Sequence, residues 1–310
     1  MSYSVFVDGE AGTTGLDVLR RLEARSDLEL ILLGDRRRDV AARREALNAA
    51  DAVILCLPDD AAKEAVAMID NPAVRVIDAS TAYRVDPSWT YGFAEMAPGQ
   101  REKIAGATRV SNPGCYPTGF IGLVRPLVSA GIIPAGWPVT VNAVSGYSGG
   151  GKAMIAEFEA GGAGAFRAYG LSLKHKHVPE MTLHTGLERP VLFAPAVAAY
   201  RQGMLVEVPL QLGALPGSPS VEVVHGALAE TYADCRFVEV VELEESEAMT
   251  GIDPEGLNGT NRMRLHVFGD RAGAQVRLVA LLDNLGKGAS GAAVQNLNLM
   301  LGLDEGVGLN

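Results

Sequence analysis

Cysteine is scarce in this 310-residue chain, which contains only Cys56, Cys115 and Cys235. Three scattered cysteines are too few for a disulfide framework or for a thiolate-rich metal site. Their scarcity fits a reducing compartment. We therefore expect a cytoplasmic protein.

Long apolar runs and excess positive charge are also absent. The most apolar long stretch, residues 123–141, is interrupted by Arg125 and three prolines, which excludes a membrane span there. No basic segment followed by an apolar one begins the sequence, so we expect no signal peptide. The formal net charge of -10 argues against a general nucleic-acid or anionic-membrane binder. The length is enough for two domains of ~100–200 residues each.

The first third of the sequence alternates strand-like and helix-like segments. Apolar runs of strand length are "YSVFVD", "LELILLG", "ADAVILCLP" and "VRVIDAS", while "TGLDVLRRLEA" and "DDAAKEAVAMI" have helical patterns. Continuous apolar strands are typical of a parallel sheet buried on both faces. The sequence therefore predicts an α/β fold that begins with a doubly wound dinucleotide-binding domain.

The pattern changes after residue 116. A helix, "YPTGFIGLVRPLVSAG", is followed by six strand candidates with one helical stretch, "SVEVVHGALAETYA", among them. This order predicts an α+β domain with a mostly antiparallel sheet. The segment "LGKGASGAAVQNLNLMLG" near the C-terminus is predicted to be a helix rich in small residues.

A glycine-rich segment, "GEAGTTG", joins the first predicted strand to the first predicted helix. Glycines in this context permit a tight turn and bring a pyrophosphate close to helix N–H groups. Packing of the helix on the strand is the alternative explanation. We predict cofactor contacts at Gly9, Gly12, Thr13, Thr14 and Gly15.

The end of the second predicted strand bears on the choice of cofactor. Asp35 lies 20 residues past Gly15, where an acidic residue would bind the ribose hydroxyls of NAD. Arg36, Arg37 and Arg38 follow directly, and arginine is the usual partner of the 2′-phosphate of NADP. We therefore predict NADP, bound through these three arginines.

The segment "SNPGCYPTG" places one thiol among two prolines and two glycines. Pro113 and Gly114 end any preceding strand, and Pro117 suits the first turn of a helix. Cys115 is thus predicted to lie at a helix N-terminus, where the helix dipole stabilises a thiolate. A buried structural cysteine is the alternative, since free cysteine is often a core residue.

Two histidines stand two residues apart in "LKHKHVPEM". In an extended segment His175 and His177 would share a face, with Glu180 three residues further on. A metal site would need a third ligand, and the spacing is not that of the helical H-E-x-x-H motif, so we predict no metal. A histidine acting as general acid/base beside Cys115 is favoured over two surface histidines.

Several motifs in the chain resemble those of the N-acetyl-gamma-glutamyl-phosphate reductases. Members of this family catalyse the third step of arginine biosynthesis and are related to aspartate-semialdehyde dehydrogenase. The motifs are "GTTG", "DASTAYR", "YGFAE", "SNPGCYPTG", "SGYSGGGK", "KHKHVPE" and "DNLGKGASGAAVQN". They follow the family's order and cover most of the chain. The "SGYSGGGK" and "GTNRM" forms resemble the shorter of the family's two types.

The resemblance implies a role for each matching position. Cys115 would be the nucleophile, and one histidine of the pair, by preference His177, would be the acid/base with Glu180 in support. The implied further cofactor contacts are Pro58, Ser80 (which would also lie near the substrate) and Asn284, and the implied substrate contacts are Arg84, Asn112, Ser145, Gly146 and Lys152. The chain departs from the family at Lys152, where arginine is usual, and at "YGFAE", where longer members have "YGLPE".

The resemblance also implies the domain plan and the reaction. Residues 1–115 and 286–310 would form the NADP-binding domain, and residues 116–285 the catalytic and dimerisation domain of a homo-oligomer, a dimer or a tetramer. NADPH would reduce N-acetyl-gamma-glutamyl phosphate to N-acetylglutamate 5-semialdehyde and phosphate through a cysteine thioester. The alternatives are the same chemistry on aspartyl phosphate or a lysine-pathway analogue, or a non-catalytic NADP sensor.

Overall fold

The computed structural model describes residues 2–270 and 274–310 and divides into two compact units. Unit 1 comprises Met1–Ala94, Pro98–Gly114 and Ala289–Asn310, and unit 2 comprises Glu95–Ala97 and Cys115–Gly288. No helix in the described ranges is both long enough and apolar enough to cross a bilayer.

The strands and helices are numbered in chain order. The strands are β1 (Tyr3–Asp8), β2 (Leu28–Ile31), β3 (Ala52–Leu55), β4 (Arg75–Asp78), β5 (Thr90–Tyr91), β6 (Arg109–Ser111), β7 (Thr140–Gly146), β8 (Phe166–Ala168), β9 (Leu192–Ala198), β10 (Met204–Gln211), β11 (Val238–Val240), β12 (Met263–Gly269) and β13 (Gln275–Leu282). The helices are α1 (Thr13–Leu22), α2 (Val40–Ala49), α3 (Asp59–Ala67), α4 (Gln100–Ala105), α5 (Cys115–Ser129), α6 (Gly151–Glu159), α7 (Val178–Thr185), α8 (Val221–Tyr232), α9 (Leu243–Ala248) and α10 (Gly291–Met300).

Unit 1 is built on a parallel six-stranded sheet in the order β2-β1-β3-β4-β6-β5. Alternate residues of β1 enter different cores: Val5 and Val7 pack in one apolar cluster and Phe6 in the other. Both faces of the sheet are therefore buried, which explains the continuous apolar runs in the sequence. The strand order reverses beside β1, and ligands of such sheets bind at this switch point.

Unit 2 contains a mixed seven-stranded sheet in the order β11-β12-β13-β10-β7-β9-β8. The pairs β7–β9 and β11–β12 are parallel and the other pairs are antiparallel. Helix α5 packs closely on this sheet because two of its residues lack side chains. A Cβ on Gly119 would lie 2.8 Å from a methyl carbon of Val206, and one on Gly122 would lie 2.7 Å from the methyl carbon of Met263.

The predicted fold class, a doubly wound domain plus an α+β domain, is confirmed. The region after residue 116 has more helix than the sequence predicts, because α6, α7 and α9 each have at most nine residues. Such short segments, one of them opening on a run of glycines, show little helical periodicity. The three arginines at 36–38 lie in a 3₁₀ turn, Gly34–Arg38.

Candidate active site

The turn between β1 and α1 has the geometry of a phosphate-binding loop. Gly9 has φ of +91°, and a Cβ there would lie 2.4 Å from the carbonyl oxygen of Cys56. The N–H of Gly12 donates to the carbonyl oxygen of Gly9 at 2.9 Å, and α1 begins at the next residue, Thr13. The first N–H groups of a helix have no partner within it, so this turn can present them to an anion.

A cavity of about 250 Å³ opens beside this turn within unit 1. Its lining comprises Phe6, Val7, Asp8, Gly9, Glu10, Ala11, Leu33, Arg37, Arg38, Arg43, Leu57 and Ala61. Apolar walls with a few cationic groups suit an adenosine whose ribose carries a phosphate. The donor set therefore fits NADP, with Arg37 and Arg38 at the cavity and Arg36 exposed outside its lining.

Arg43 lines the same cavity although the sequence analysis did not select it. Its Nε donates to the Asp8 carboxylate at 2.7 Å. Burial raises the pKa of Asp8, and the hydrogen bond and charge of Arg43 oppose that shift. Arg43 lies in α2, a helix not predicted from the sequence, so no strand-end or motif signal pointed to it.

The segment after β4 holds two of the predicted site residues in a hydrogen-bonded turn. The hydroxyl of Ser80 donates to the Asp78 carboxylate at 2.6 Å, and the Arg84 guanidinium donates to the carbonyl oxygen of Ala79 at 2.9 Å. Both side chains are buried. Pro58 lies at the carboxyl end of β3 as the N-cap of α3.

Asn112 is buried, and its side chain is used inside unit 1. Its Nδ2 donates to the carbonyl oxygen of Ala289 at 3.0 Å, and its Oδ1 accepts from Asn296 Nδ2 at 3.1 Å. This bonding fixes the chain three residues before Cys115. A structural role thus explains Asn112, and the predicted substrate contact stays a prediction.

Cys115 is the first residue of α5 and is partly exposed. The predicted placement of the thiol at a helix N-terminus is therefore observed, with Pro117 in the first turn. The next side chain ties that turn to the sheet: the Tyr116 hydroxyl donates to the carbonyl oxygen of Ala196 in β9 at 3.0 Å and accepts from the Tyr169 hydroxyl at 3.2 Å. The positive end of the α5 dipole at this residue favours its thiolate.

Both histidines lie beside this first turn. The ring centroids of His175 and His177 are 4.8 Å apart, and the His177 ring is 5.9 Å from that of Tyr116. Tyr169 and Phe193 contact the His175 ring from other sides. The structure thus places the two predicted acid/base candidates near Tyr116, the residue that follows Cys115.

The two histidines differ in environment. His175 Nδ1 accepts a hydrogen bond from the His177 N–H at 3.2 Å, so the neutral ring carries its proton on Nε2. Burial lowers the pKa of His175, with Lys176 adding to the shift and Glu180 opposing it. His175 is therefore a neutral donor at neutral pH. In the part of the chain that the structure describes, no three His, Cys, Asp or Glu side chains gather as a metal site.

The remaining predicted residues of unit 2 are only partly brought together. Asn284 Oδ1 accepts from the Gly203 N–H at 2.7 Å, and its Nδ2 donates to Ser148 Oγ at 2.9 Å, so the Asn284 amide supports the loop beside Ser145. A Cβ on Gly146 would lie 2.6 Å from the Arg201 backbone. Close packing therefore explains that glycine.

Lys152 is exposed, whereas the other four predicted substrate contacts are buried. It lies in the first turn of α6. The substrate contact predicted for Lys152 therefore stays a prediction.

Comparison with known proteins matches both parts of the chain to one family. Residues 4–107 match the semialdehyde dehydrogenase NAD binding domain, and residues 115–284 match the semialdehyde dehydrogenase dimerisation domain. The chain is 55% identical over 307 residues to the N-acetyl-gamma-glutamyl-phosphate reductase of Burkholderia ambifaria, covering 98% of each chain. It is 57% identical over 309 residues to the protein of that name from Brucella ovis, covering 97% of this chain and 100% of the relative.

Solved structures show the same fold at much lower identity. Aspartate semialdehyde dehydrogenase II from Vibrio cholerae superposes with a TM-score of 0.70 at 16% identity, covering 97% of this chain and 99% of that one. The aspartate semialdehyde dehydrogenase from Francisella tularensis superposes with a TM-score of 0.71 at 12% identity, covering 96% and 100%. With both domains matched in order, the chain belongs to the semialdehyde dehydrogenase family.

Proposed function

We propose that the chain reduces N-acetyl-gamma-glutamyl phosphate with NADPH to N-acetylglutamate 5-semialdehyde and phosphate, a step of arginine biosynthesis. Identity of 55% or more over nearly the whole length to proteins of that name is the observation that carries the proposal. The thiol at the start of α5, followed by Tyr116 whose ring lies 5.9 Å from that of His177, also supports it. Unit 1 is assigned to the cofactor and unit 2 to catalysis.

The first half of the reaction makes an enzyme-bound thioester. The Cys115 thiolate attacks the γ-carbonyl carbon, forming a C–S bond, and the C–O bond to phosphate breaks with its electron pair leaving on the phosphate. The phosphate takes up a proton. Backbone N–H groups in the first turn of α5 are the proposed donors to the oxyanion.

The second half of the reaction releases the aldehyde. NADPH, when bound, supplies the hydride that reduces the thioester carbon. His177 donates a proton to the resulting oxyanion and takes it back as the C–S bond breaks, which returns the Cys115 thiolate. His175, neutral with a proton on Nε2, donates a hydrogen bond to the substrate's carboxylate or to the departing phosphate.

Turnover in the reverse direction tests the substrate. With phosphate and NADP⁺ present, we expect kcat/KM for N-acetylglutamate 5-semialdehyde to exceed that for aspartate semialdehyde by about 100-fold or more, because a site built to hydrogen-bond one polar group discriminates strongly against analogues that lack it. The measurement is the initial rate of NADPH absorbance. A lysine-pathway semialdehyde is the third substrate in the panel, and equal or better turnover of either competitor would contradict the proposal.

Cofactor preference tests the roles of the arginines at the cavity. Replacing Arg37 or Arg38 by Ala should raise the KM for NADPH about ten- to hundred-fold and leave the KM for NADH nearly unchanged, since each charge-assisted phosphate contact contributes ~1.5–3 kcal/mol. Arg44→Ala is the matched control, because Arg44 pairs with Asp70 at the surface and lies outside the cavity lining. Equal effects on both cofactors would refute the assignment.

We also propose that the protein is a cytoplasmic homo-oligomer, a dimer or a tetramer, associated through unit 2. The match of residues 115–284 to a dimerisation domain supports this. Apolar side chains are exposed on β8 and the loop that follows it: Phe166 is 63%, Leu171 82% and Leu173 58% exposed. Exposed apolar surface of this kind marks association sites.

A further inference from the structure

A buried ion pair in unit 2 has no part in the chemistry proposed above. Lys287 Nζ lies 2.7 Å and 2.8 Å from the two carboxylate oxygens of Glu95, and the two side chains are 2% and 0% exposed. The partners are 192 residues apart in the chain. Removing two charges from water is costly, and a buried ion pair is weak evidence of a stabilising role. A pair held this closely therefore calls for another explanation.

Lys287 belongs to a π-helical turn, Gly286–Ser290, and such turns are frequent at functional sites. The turn is fixed at its start by Asp283, whose carbonyl oxygen accepts from the Gly288 N–H at 2.9 Å. The Asp283 carboxylate in turn accepts from Gln202 Nε2 at 2.7 Å and from the Gly259 N–H at 2.8 Å. The ion pair with Glu95 holds the other side of the turn, so its backbone has little freedom to shift.

The residue after Lys287 lies directly against the nucleophile. A Cβ built on Gly288 would be 2.7 Å from the Cβ of Cys115 and 3.2 Å from its Cα. The first distance is shorter than two carbon atoms allow and the second is tight, so only glycine lets the turn approach this closely without a shift. The Gly288 backbone thus lies against the base of the Cys115 side chain.

We propose that Glu95 and Lys287 are positioning residues for Cys115, acting through the backbone of Gly288. This inference rests on the proposed role of Cys115 as nucleophile. The ion pair and Asp283 hold the turn, the turn holds the Cys115 Cβ, and the Cβ sets the direction from which the sulfur attacks. Misplacing a reacting atom by about 1 Å can cost about 100-fold in rate.

The first test adds a methyl group where Gly288 contacts Cys115 and leaves the ion pair unchanged. Gly288→Ala should lower kcat about 30-fold or more while the KM for NADPH stays within about threefold, because the added methyl group displaces the Cys115 side chain. Gly226→Ala is the matched control, since Gly226 lies in α8 with nothing within 4 Å of a built Cβ. It should keep kcat within about twofold of the parent.

The second test removes the pair. Lys287→Met, Glu95→Gln and the double variant should each lower kcat, with the double variant no worse than the poorer single variant because the two residues act as one unit. The pH dependence of Cys115 alkylation by iodoacetamide should keep its midpoint in all three, since positioning leaves thiolate formation unchanged.

Each outcome decides between the assignments. If Gly288→Ala and Lys287→Met keep kcat within about threefold of the parent while Cys115→Ser is inactive, the positioning role is wrong and the nucleophile stands. A shift of the alkylation midpoint in Lys287→Met would mean that the lysine acts by its charge, which also overturns the positioning role. Should the pair variants fail to fold, Gly288→Ala decides alone. Activity retained by Cys115→Ser would instead overturn the proposed function.

Discussion

Cys115→Ser should lose more than about 10³-fold in kcat while binding NADPH with nearly normal affinity. A serine hydroxyl at this position cannot form the thioester, and removing one member of a catalytic unit that acts together removes nearly all of its effect. Cofactor affinity should survive because the Gly9–Gly15 turn and its cavity lie in unit 1, whereas Cys115 lies in unit 2. Turnover by NADPH absorbance and binding by NADPH fluorescence measure the two effects separately.

The other cysteines provide controls for this result. Burial raises the pKa of Cys56 to about 12, so that residue stays a thiol at neutral pH and is a poor nucleophile. Cys235 follows α8 and does not begin a helix, so Cys235→Ser should keep kcat near that of the parent. Activity of Cys115→Ser within tenfold of the parent would refute the nucleophile assignment. Loss of activity in Cys235→Ser would show that the effect of replacing cysteine is not specific to Cys115.

The second large effect is expected at the histidine pair. His177→Asn should lower kcat by about 10²- to 10⁴-fold and remove one limb of the pH–rate profile, the loss typical of a missing general acid/base. His175→Asn should mainly raise the substrate KM and leave both limbs in place. The amide oxygen of Asn can replace Nδ1 of His175 as acceptor for the His177 N–H, so this variant removes the Nε2 donor while keeping the local backbone.

The lowered pKa of His175 determines how this residue affects the stability of the folded protein as the pH changes. Burial lowers its pKa below the ordinary value of about 6.5, so acidification protonates the unfolded chain first and reduces the stability of the folded protein. Near pH 7 His175 is neutral, and it should add no limb to the profile there. The pH–rate profiles of both Asn variants, measured in both reaction directions, test this expectation. Near-parental kcat in both variants at every pH would mean that another group transfers the proton.

The sequence predicted the parts of the fold that depend on local pattern. The strands β1, β3 and β4 are continuous apolar runs because both faces of their sheet are buried. The prolines and glycines around Cys115 marked the start of α5 because each restricts the backbone within a few residues. The strands β5 and β8 were not predicted, since two or three residues are too few to show an alternating pattern.

Features that depend on distant contacts could not be predicted in this way. Glu95 and Lys287 are charged, and charged residues are ordinarily exposed, so no local signal indicates that they meet in the interior. Arg43 is one of two adjacent arginines in α2, and only the fold shows that it faces the cavity while Arg44 pairs at the surface with Asp70. The tautomer of His175, on which its proposed role depends, likewise becomes visible only in the hydrogen bond from the His177 N–H.

The assignment of α10 to unit 1 has a consequence for the order of biosynthesis. Ala293, Val294 and Leu297 pack in the same apolar core as Val5 and Ile54. A growing chain therefore leaves part of one side of its first sheet uncovered until α10 has been synthesised. Unit 2, although it lies later in the sequence, is the first whose residues have all been made. Domains generally fold in the order of synthesis, but here the N-terminal strands must wait for α10, so the core of unit 1 is completed after all residues of unit 2 have been made.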